Sequence, residues 1–198
     1  MTGSIFMGGN FMKSAKVKIG IILGTLLVGW GVYFQPTPID SHREEEPAVH
    51  KTDVIVNPEN LHGSYTVLRI YDGDTLTVNM NGQDESIRFC GIDAPEMDQP
   101  GGEESRDYLR ALIGSNPVYL GSIKRDRWGR IVSEVFVKTD TGFLLTNTYM
   151  IRQGYALNWE RYSRNCQHAS LYQVAEGEQR QTEITQGIPP WEWRRGAR

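Results

Sequence analysis

The hydrophobic and polar positions of this chain sort into five strand-like runs, at about 64–71, 75–80, 85–91, 117–123 and 131–137. Asn81-Gly82, between the second and third, is a strong hairpin signal. Glu103 to Ile113 carries Tyr108, Leu109, Leu112 and Ile113 on one face at helical spacing, with Gly114 as its stop. Leu144 to Arg152, ended by Gly154, and about Gln167 to Gln181 read as two further helices. Five strands with helices between and after them suit a mainly β, α+β domain with an OB-type barrel, although the pattern alone does not close that barrel.

Before residue 61 the pattern changes. Ile19 to Phe34 is an uncharged, apolar run preceded by Lys13, Lys16 and Lys18, which points to the secretory route with the N-terminus inside. Trp30, Tyr33 and Phe34 at its outer end suit an interfacial belt and leave no small-x-small cleavage site. The expectation is a basic cytoplasmic N-terminus over 1–18 and a transmembrane or signal-anchor segment over 19–34; a cleaved signal is the alternative. A start at Met12 would give a conventional short basic leader. Residues 35–60 hold Pro36, Pro38, Pro47, Pro58 and Arg43-Glu-Glu-Glu46 with no period, and are expected to form a disordered acidic tether. Residues 61–198 are then the folded domain. It would be anchored to the membrane and held outside the cytoplasm, at the cell surface or in the periplasm, or secreted if the signal is cleaved.

Composition agrees with one sizeable core: of 198 residues, 39% are hydrophobic and 23% charged. The net charge of −3 excludes bulk binding of polyanions. It divides as +3 over 1–35, −4 over 36–60 and −2 over 61–198, so affinity for nucleic acid would need a local cluster such as Lys124, Arg125, Arg127 and Arg130. His42, His50, His62 and His168 show no HxxxH spacing, and Cys90 and Cys166 form no CxxC, which argues against zinc. Cys90 falls in a core strand and reads as a small buried hydrophobe, with pairing to Cys166 open to the chain in an oxidising compartment.

Three segments carry the candidate chemistry: Asp72-Gly-Asp-Thr75, Arg88-Phe-Cys-Gly-Ile-Asp-Ala-Pro-Glu96 and Asp126-Arg-Trp-Gly-Arg130. Asp74 and Asp93 suit a hard cation, which takes oxygen ligands. Arg88 and Arg130 suit a phosphate, because a guanidinium presents a planar fork to two oxygens and stays protonated. Glu96 is one further acid able to handle a proton. Each segment alone has a structural reading: a turn or bulge at Asp72-Gly73, a capping box from Asp93 to Glu96, a solvated basic turn at Arg125 to Arg130.

In this order and spacing the three segments closely resemble the staphylococcal nuclease (thermonuclease) family, from about Tyr65 to about Trp191. The resemblance implies a five-stranded OB barrel packed against three helices. It further implies a Ca²⁺-dependent endonuclease cutting DNA and RNA with little sequence preference, single strands preferred, and leaving 3′-phosphorylated products. Under it, Asp74 and Asp93 bind Ca²⁺ through carboxylates and Ala94 through its backbone carbonyl; Arg88 and Arg130 hold the phosphate; Glu96 acts on the attacking water. Arg127, Trp128 and Tyr162 match positions near the bound nucleotide, although Trp128 and Tyr162 also suit core or rim aromatics. The alternative is a noncatalytic, single-stranded nucleic-acid-binding OB module. The loop after Glu96 is shorter than in the staphylococcal enzyme, and the tail Ile188 to Trp193 is expected to pack through Trp191 and Trp193. A monomer is expected.

Overall fold

The computed structural model describes residues 53–55 and 57–197. In chain order the elements are β1 (Val54–Ile55), β2 (His62–Ile70), β3 (Thr75–Met80), β4 (Gln83–Phe89), β5 (Ile92–Asp93), α1 (Gly102–Ile113), β6 (Val118–Leu120), β7 (Lys124–Arg125), β8 (Ile131–Ser133), β9 (Val135–Thr139), β10 (Gly142–Leu145), α2 (Thr146–Arg152), β11 (Leu157–Asn158), α3 (Glu160–Ser163), α4 (Ala169–Gly177), α5 (Glu183–Gln186) and α6 (Pro190–Trp193).

These make a mixed α+β fold whose curled sheet is consistent with an OB-type architecture. Nine strands share one sheet in the order β1-β10-β9-β6-β2-β3-β4-β8-β7, and β5 pairs separately with β11. The curl has a local cause. Only Glu134 separates β8 from β9, yet β8 pairs in parallel with β4 while β9 pairs antiparallel with β6. The single run 131–139 thus serves both halves of the sheet, with Glu134 at the corner. That glutamate is buried and satisfied: its carboxylate accepts from the His168 backbone N–H (2.9 Å) and the Tyr172 hydroxyl (3.3 Å) and lies 2.7 Å from His168 Nδ1.

Alternation along β3 and β4 sends Leu76, Val78, Ile87 and Phe89 into the core. The hairpin between them turns at Asn81 (φ 54°) and Gly82 (φ 85°), the left-handed pair that a two-residue type I′ turn requires. Helix α1 buries Ser105, Leu109 and Ile113, each four residues after the last, and stops where the Gly114 N–H bonds to Arg110 O (2.9 Å).

Several expectations are corrected. The first three runs form β2, β3 and β4 to within two residues, but the run at 117–123 keeps only β6 and the run at 131–137 breaks at Glu134. The helix expected from Leu144 begins at Thr146, because Leu144 and Leu145 pair with Val137 and Phe136 of β9 and extend the sheet. The helix expected over 167–181 is the shorter α4, flanked by the four-residue turns α3, α5 and α6.

The expected tether also ends early. Val54 and Ile55 pair with Leu144 and Phe143, and Asp53 is fully buried against Arg152, Oδ2 accepting from Nε (2.7 Å) and Oδ1 from Nη2 (3.2 Å). The expected cytoplasmic and membrane segments and the rest of the tether lie outside the described residues. Among the described residues no helix is long and apolar enough to cross a membrane. Finally, Cys90 is not a free buried hydrophobe: it is disulfide-bonded to Cys166, 76 residues away.

Candidate active site

Local pairing brings the three segments together. On β4, Ile87 and Phe89 face the core, so Arg88 faces the opposite side. Thr75 lies opposite Arg88 in the β3–β4 ladder, and the Phe89 N–H donates to Asp74 O (2.8 Å), which sets Asp74 beside Arg88. Pairing of Leu157 with Asp93 fixes the next carboxylate and delivers Trp159, whose N–H donates to Gly91 O (2.9 Å). Gly91 (φ 72°) allows this approach, since a Cβ there would come within 2.6 Å of Ser163 Cα. In the third segment Asp126 Oδ1 accepts from the Trp128 and Arg130 backbone N–H groups (2.9 and 3.0 Å), and Oδ2 accepts from Arg130 Nε (2.8 Å). An aspartate closing its own turn thereby aims the arginine.

The result is a cavity of about 530 Å³ lined by Asp72, Asp74, Arg88, Ala94, Glu96, Asp126 and Arg130, with Trp128, Trp159, Tyr162 and Arg194 also on its wall. Arg88 is ion-paired through Nη1 with Asp74 Oδ1; its Nη2 donates to Asp93 Oδ1 (2.7 Å) and Ile92 O (3.1 Å). Asp74 also accepts from Thr75 Oγ1 (3.0 Å) and from the Ala94 N–H (2.7 Å). Asp72 Oδ1 accepts from the Asp74 N–H (3.0 Å). Arg194 spans two carboxylates, Nη1 to Glu96 Oε1 (2.5 Å) and Nη2 to Asp93 Oδ2 (2.6 Å).

Burial dominates the electrostatics. It raises the Asp93 pKa despite the hydrogen bond from Arg194 and the charge of Arg88, and raises that of Asp72 despite Arg88. It likewise lowers the Arg88 pKa against the pull of Asp93 and Asp72. At Arg194 burial opposes the charge, but hydrogen bonds to Asp93 and Glu96 outweigh it and the pKa rises. At Asp126 the opposition of burial is overcome by Arg130 and two backbone N–H groups, and the pKa falls. Five carboxylates (Asp72, Asp74, Asp93, Glu96, Asp126) meet three guanidiniums (Arg88, Arg130, Arg194), a formal surplus of two negative charges.

That surplus and an all-oxygen donor set fit one hard divalent cation, and among the described residues no histidine or cysteine lines the cavity. Among the described residues no three His, Cys, Asp or Glu side chains converge as a ready-made metal cage. A cation here would take oxygens from Asp74 and Asp93 and complete its shell with carbonyl, water or ligand oxygen.

Of the residues predicted from sequence, Asp74, Arg88, Ala94, Glu96, Trp128, Arg130 and Tyr162 line the cavity, and Asp93 adjoins it, fully buried. Arg127 is outside the lining and stacks on Trp128, 4.0 Å from the ring centre. Trp128 and Tyr162 are 65% and 45% exposed, so they are rim aromatics and not core. The capping-box reading of Asp93 to Glu96 fails, because Asp93 lies in β5 and α1 begins only after Gly101. Sequence reasoning missed Asp72, Asp126, Trp159 and Arg194 as site residues. The Asp126-x-x-x-Arg130 spacing was a usable signal; Arg194, 98 residues from Glu96, had none.

The sequence is similar to known nucleases and endonucleases. Residues 86–185 match the family model described as "Staphylococcal nuclease homologue". The chain is similar to an "Uncharacterized endonuclease" of Escherichia coli, 32% identical over 140 residues, covering 68% of this chain and 86% of that protein. It is also similar to a "Micrococcal nuclease" of Shigella flexneri, 30% identical over 141 residues (67% and 80%), and to an "Uncharacterized endonuclease" of Haemophilus influenzae, 31% identical over 135 residues (65% and 71%).

Proposed function

Because the chain belongs to the staphylococcal nuclease homologue family, we propose that it is a Ca²⁺-dependent endonuclease that hydrolyses phosphodiester bonds of DNA and RNA with little sequence preference. The observation that carries the reading is the convergence of Arg88, Arg130, Asp74 and Glu96 on one cavity. A phosphodiester under attack gathers negative charge on its non-bridging oxygens, and fixed guanidiniums aimed at them lower that barrier. Arg130 is held at Nε by Asp126, which turns its terminal amino groups to the ligand. Arg88 offers a second fork and passes from its aspartates to the phosphate as substrate enters. Glu96, half-exposed at the cavity wall, accepts a proton from the attacking water or orients it. Asp74 and Asp93, with the Ala94 carbonyl, would hold the cation, which when bound supplies Lewis-acid stabilisation of phosphate charge. Attack on the 5′ side leaves 3′-phosphorylated ends.

Trp128 and Tyr162 offer exposed faces on which unpaired bases can stack whatever their sequence, and Arg127 backs the first of them. This supports a preference for single strands. A membrane-anchored or secreted, extracytoplasmic location is supported by the basic, apolar N-terminal sequence and by the Cys90–Cys166 disulfide, a bond favoured outside the cytosol. The deciding experiment incubates the full chain with single- and double-stranded DNA and RNA in Ca²⁺, in Mg²⁺ and in chelator, and identifies the product ends. Strong cleavage in Ca²⁺, little in Mg²⁺ and none in chelator is expected, because Mg²⁺ demands octahedral geometry and sheds water reluctantly. Cleavage in chelator would remove Asp74 and Asp93 from the mechanism.

A further inference from the structure

The C-terminal segment was expected only to pack. It does pack, through Trp191, and it is also tied to the loop that carries Glu96. Gln99 Nε2 donates to Ile188 O (2.6 Å) and Trp193 Nε1 donates to Asp98 Oδ1 (3.3 Å). Within the loop, Gln99 N–H donates to Glu96 O (2.9 Å) and the Glu96 N–H bonds to Gln99 Oε1 (3.3 Å), so the residue that receives the tail also closes the turn at Glu96. From α6, Trp191 stacks on Trp159 (5.8 Å between centres, 18° between planes), and the Arg194 guanidinium lies 5.4 Å over the same Trp159 ring. Trp159 is itself bonded to Gly91 beside β5. The tail therefore reaches the cavity on a supported path.

A glutamate on a short, half-exposed loop would ordinarily sample several rotamers, at a cost when one must be selected for reaction. The Arg194 fork removes that freedom. One amino group is on Glu96 and the other on Asp93, whose remaining oxygen belongs to Arg88. Asp93 is fully buried and its backbone is paired with Leu157 of β11, which makes it a rigid reference point whether Arg88 or a cation takes its other oxygen, and the fork transfers its position to Glu96.

Resting on the nuclease reading above, we propose that Arg194 is a positioning residue of this active site: borne by the C-terminal turn, it aims the Glu96 carboxylate at the attacking water by bridging it to Asp93. The tail then performs, by docking, what a longer loop would have to achieve by closing.

The test compares the full-length wild type with Arg194→Gln, Arg194→Lys and Glu96→Gln, and with the double variant of Arg194→Gln and Glu96→Gln. Arg194→Gln should lower kcat about tenfold or more, the scale for removing an outer-shell support, with KM within about threefold. Lysine, which keeps the charge but not the fork, should recover only part of the loss. In the Glu96→Gln background the same change should have almost no further effect on kcat, because the group it aims is gone. Two readouts need no turnover. Amide hydrogen exchange over residues 96–102 of the metal-free protein should speed up in Arg194→Gln, and calorimetric Ca²⁺ affinity should not weaken. Unchanged or raised kcat, an equal loss in both backgrounds, or a loss matched by weaker Ca²⁺ binding would each overturn the proposal. If wild type does not cleave, or Glu96→Gln cleaves as well as wild type, it is the nuclease mechanism that fails, and the exchange data still report whether the tail orders the loop.

Discussion

Removing the Cys90–Cys166 disulfide should cost this protein a large part of its stability. The bond closes a loop with a sequence separation of 76. In the chain-entropy treatment such a loop restricts the unfolded state by about 15 cal/mol/K, or about 4.5 kcal/mol at 25 °C. Domains of this size are stable by only about 5–15 kcal/mol in total, so the loss would leave little in reserve. It corresponds to a fall in Tm of roughly 15 °C, at roughly 3–4 °C per kcal/mol. The perturbation is Cys90→Ala with Cys166→Ala; deleting the buried sulfur adds a cavity cost of at most about 1 kcal/mol. Urea unfolding followed by tryptophan fluorescence in metal-free buffer measures the difference between this variant and the oxidised wild type. A loss of 3–5 kcal/mol is the expected result. A loss below about 1 kcal/mol, or two titratable thiols in the purified wild type, would refute the reasoning. The bond also has a local role: it anchors the chain just after Tyr162 to the strand end just after Arg88, so activity should fall before global unfolding begins.

Two further outcomes are expected. Arg88→Lys and Arg130→Lys keep charge and lose the fork, so each should lower kcat by roughly 10³-fold at saturating Ca²⁺, and wild-type turnover in either would make that residue a surface charge. Asp126→Asn should cost about 1 kcal/mol at neutral pH, a figure held down by partial exposure. Because the folded Asp126 pKa lies below its ordinary 3.8, its contribution is whole above that value and fades as pH falls through the folded one. The Tm gap between wild type and Asp126→Asn should therefore narrow below about pH 4, and a gap constant down to pH 2 would contradict the pairing with Arg130.

Sequence made legible what is decided locally. Strand β3 occupies the expected 75–80, and α1 begins one residue before the expected Glu103, because alternation and a helical stripe each bury one face without outside help. The boundary at Leu144 was not legible, since an apolar pair serves a helix or a strand equally well and the ladder to β9 decided it. The same division holds in the cavity. Asp74, Arg88, Glu96 and Arg130 stand in three short segments whose residue types announce their chemistry. Arg194 comes from a tail whose aromatic residues suggested only packing, and it meets Asp93 and Glu96 beside the stacked pair of Trp159 and Trp191. The disulfide was left open in the sequence for a related reason: nothing in the spacing of Cys90 and Cys166 reveals that Gly91 lets the α3 region close onto the end of β4.

The buried pair of Asp53 and Arg152 defines where the enzyme starts. Composition alone would trim the chain at residue 61, after the last acidic and proline-containing stretch. Such a shortened chain would strip from Arg152, 3% exposed on α2, the carboxylate buried beside it; Glu178 still pairs with its Nη1, so the cost falls below the roughly 3–5 kcal/mol of an uncompensated buried charge. It would also strip β1 from the outer edge of β10. A chain cut before Asp53 keeps the buried pair and β1, whereas one cut between Ile55 and Leu61 loses both. The shortest version worth expressing, crystallising or grafting onto another protein therefore begins no later than residue 53.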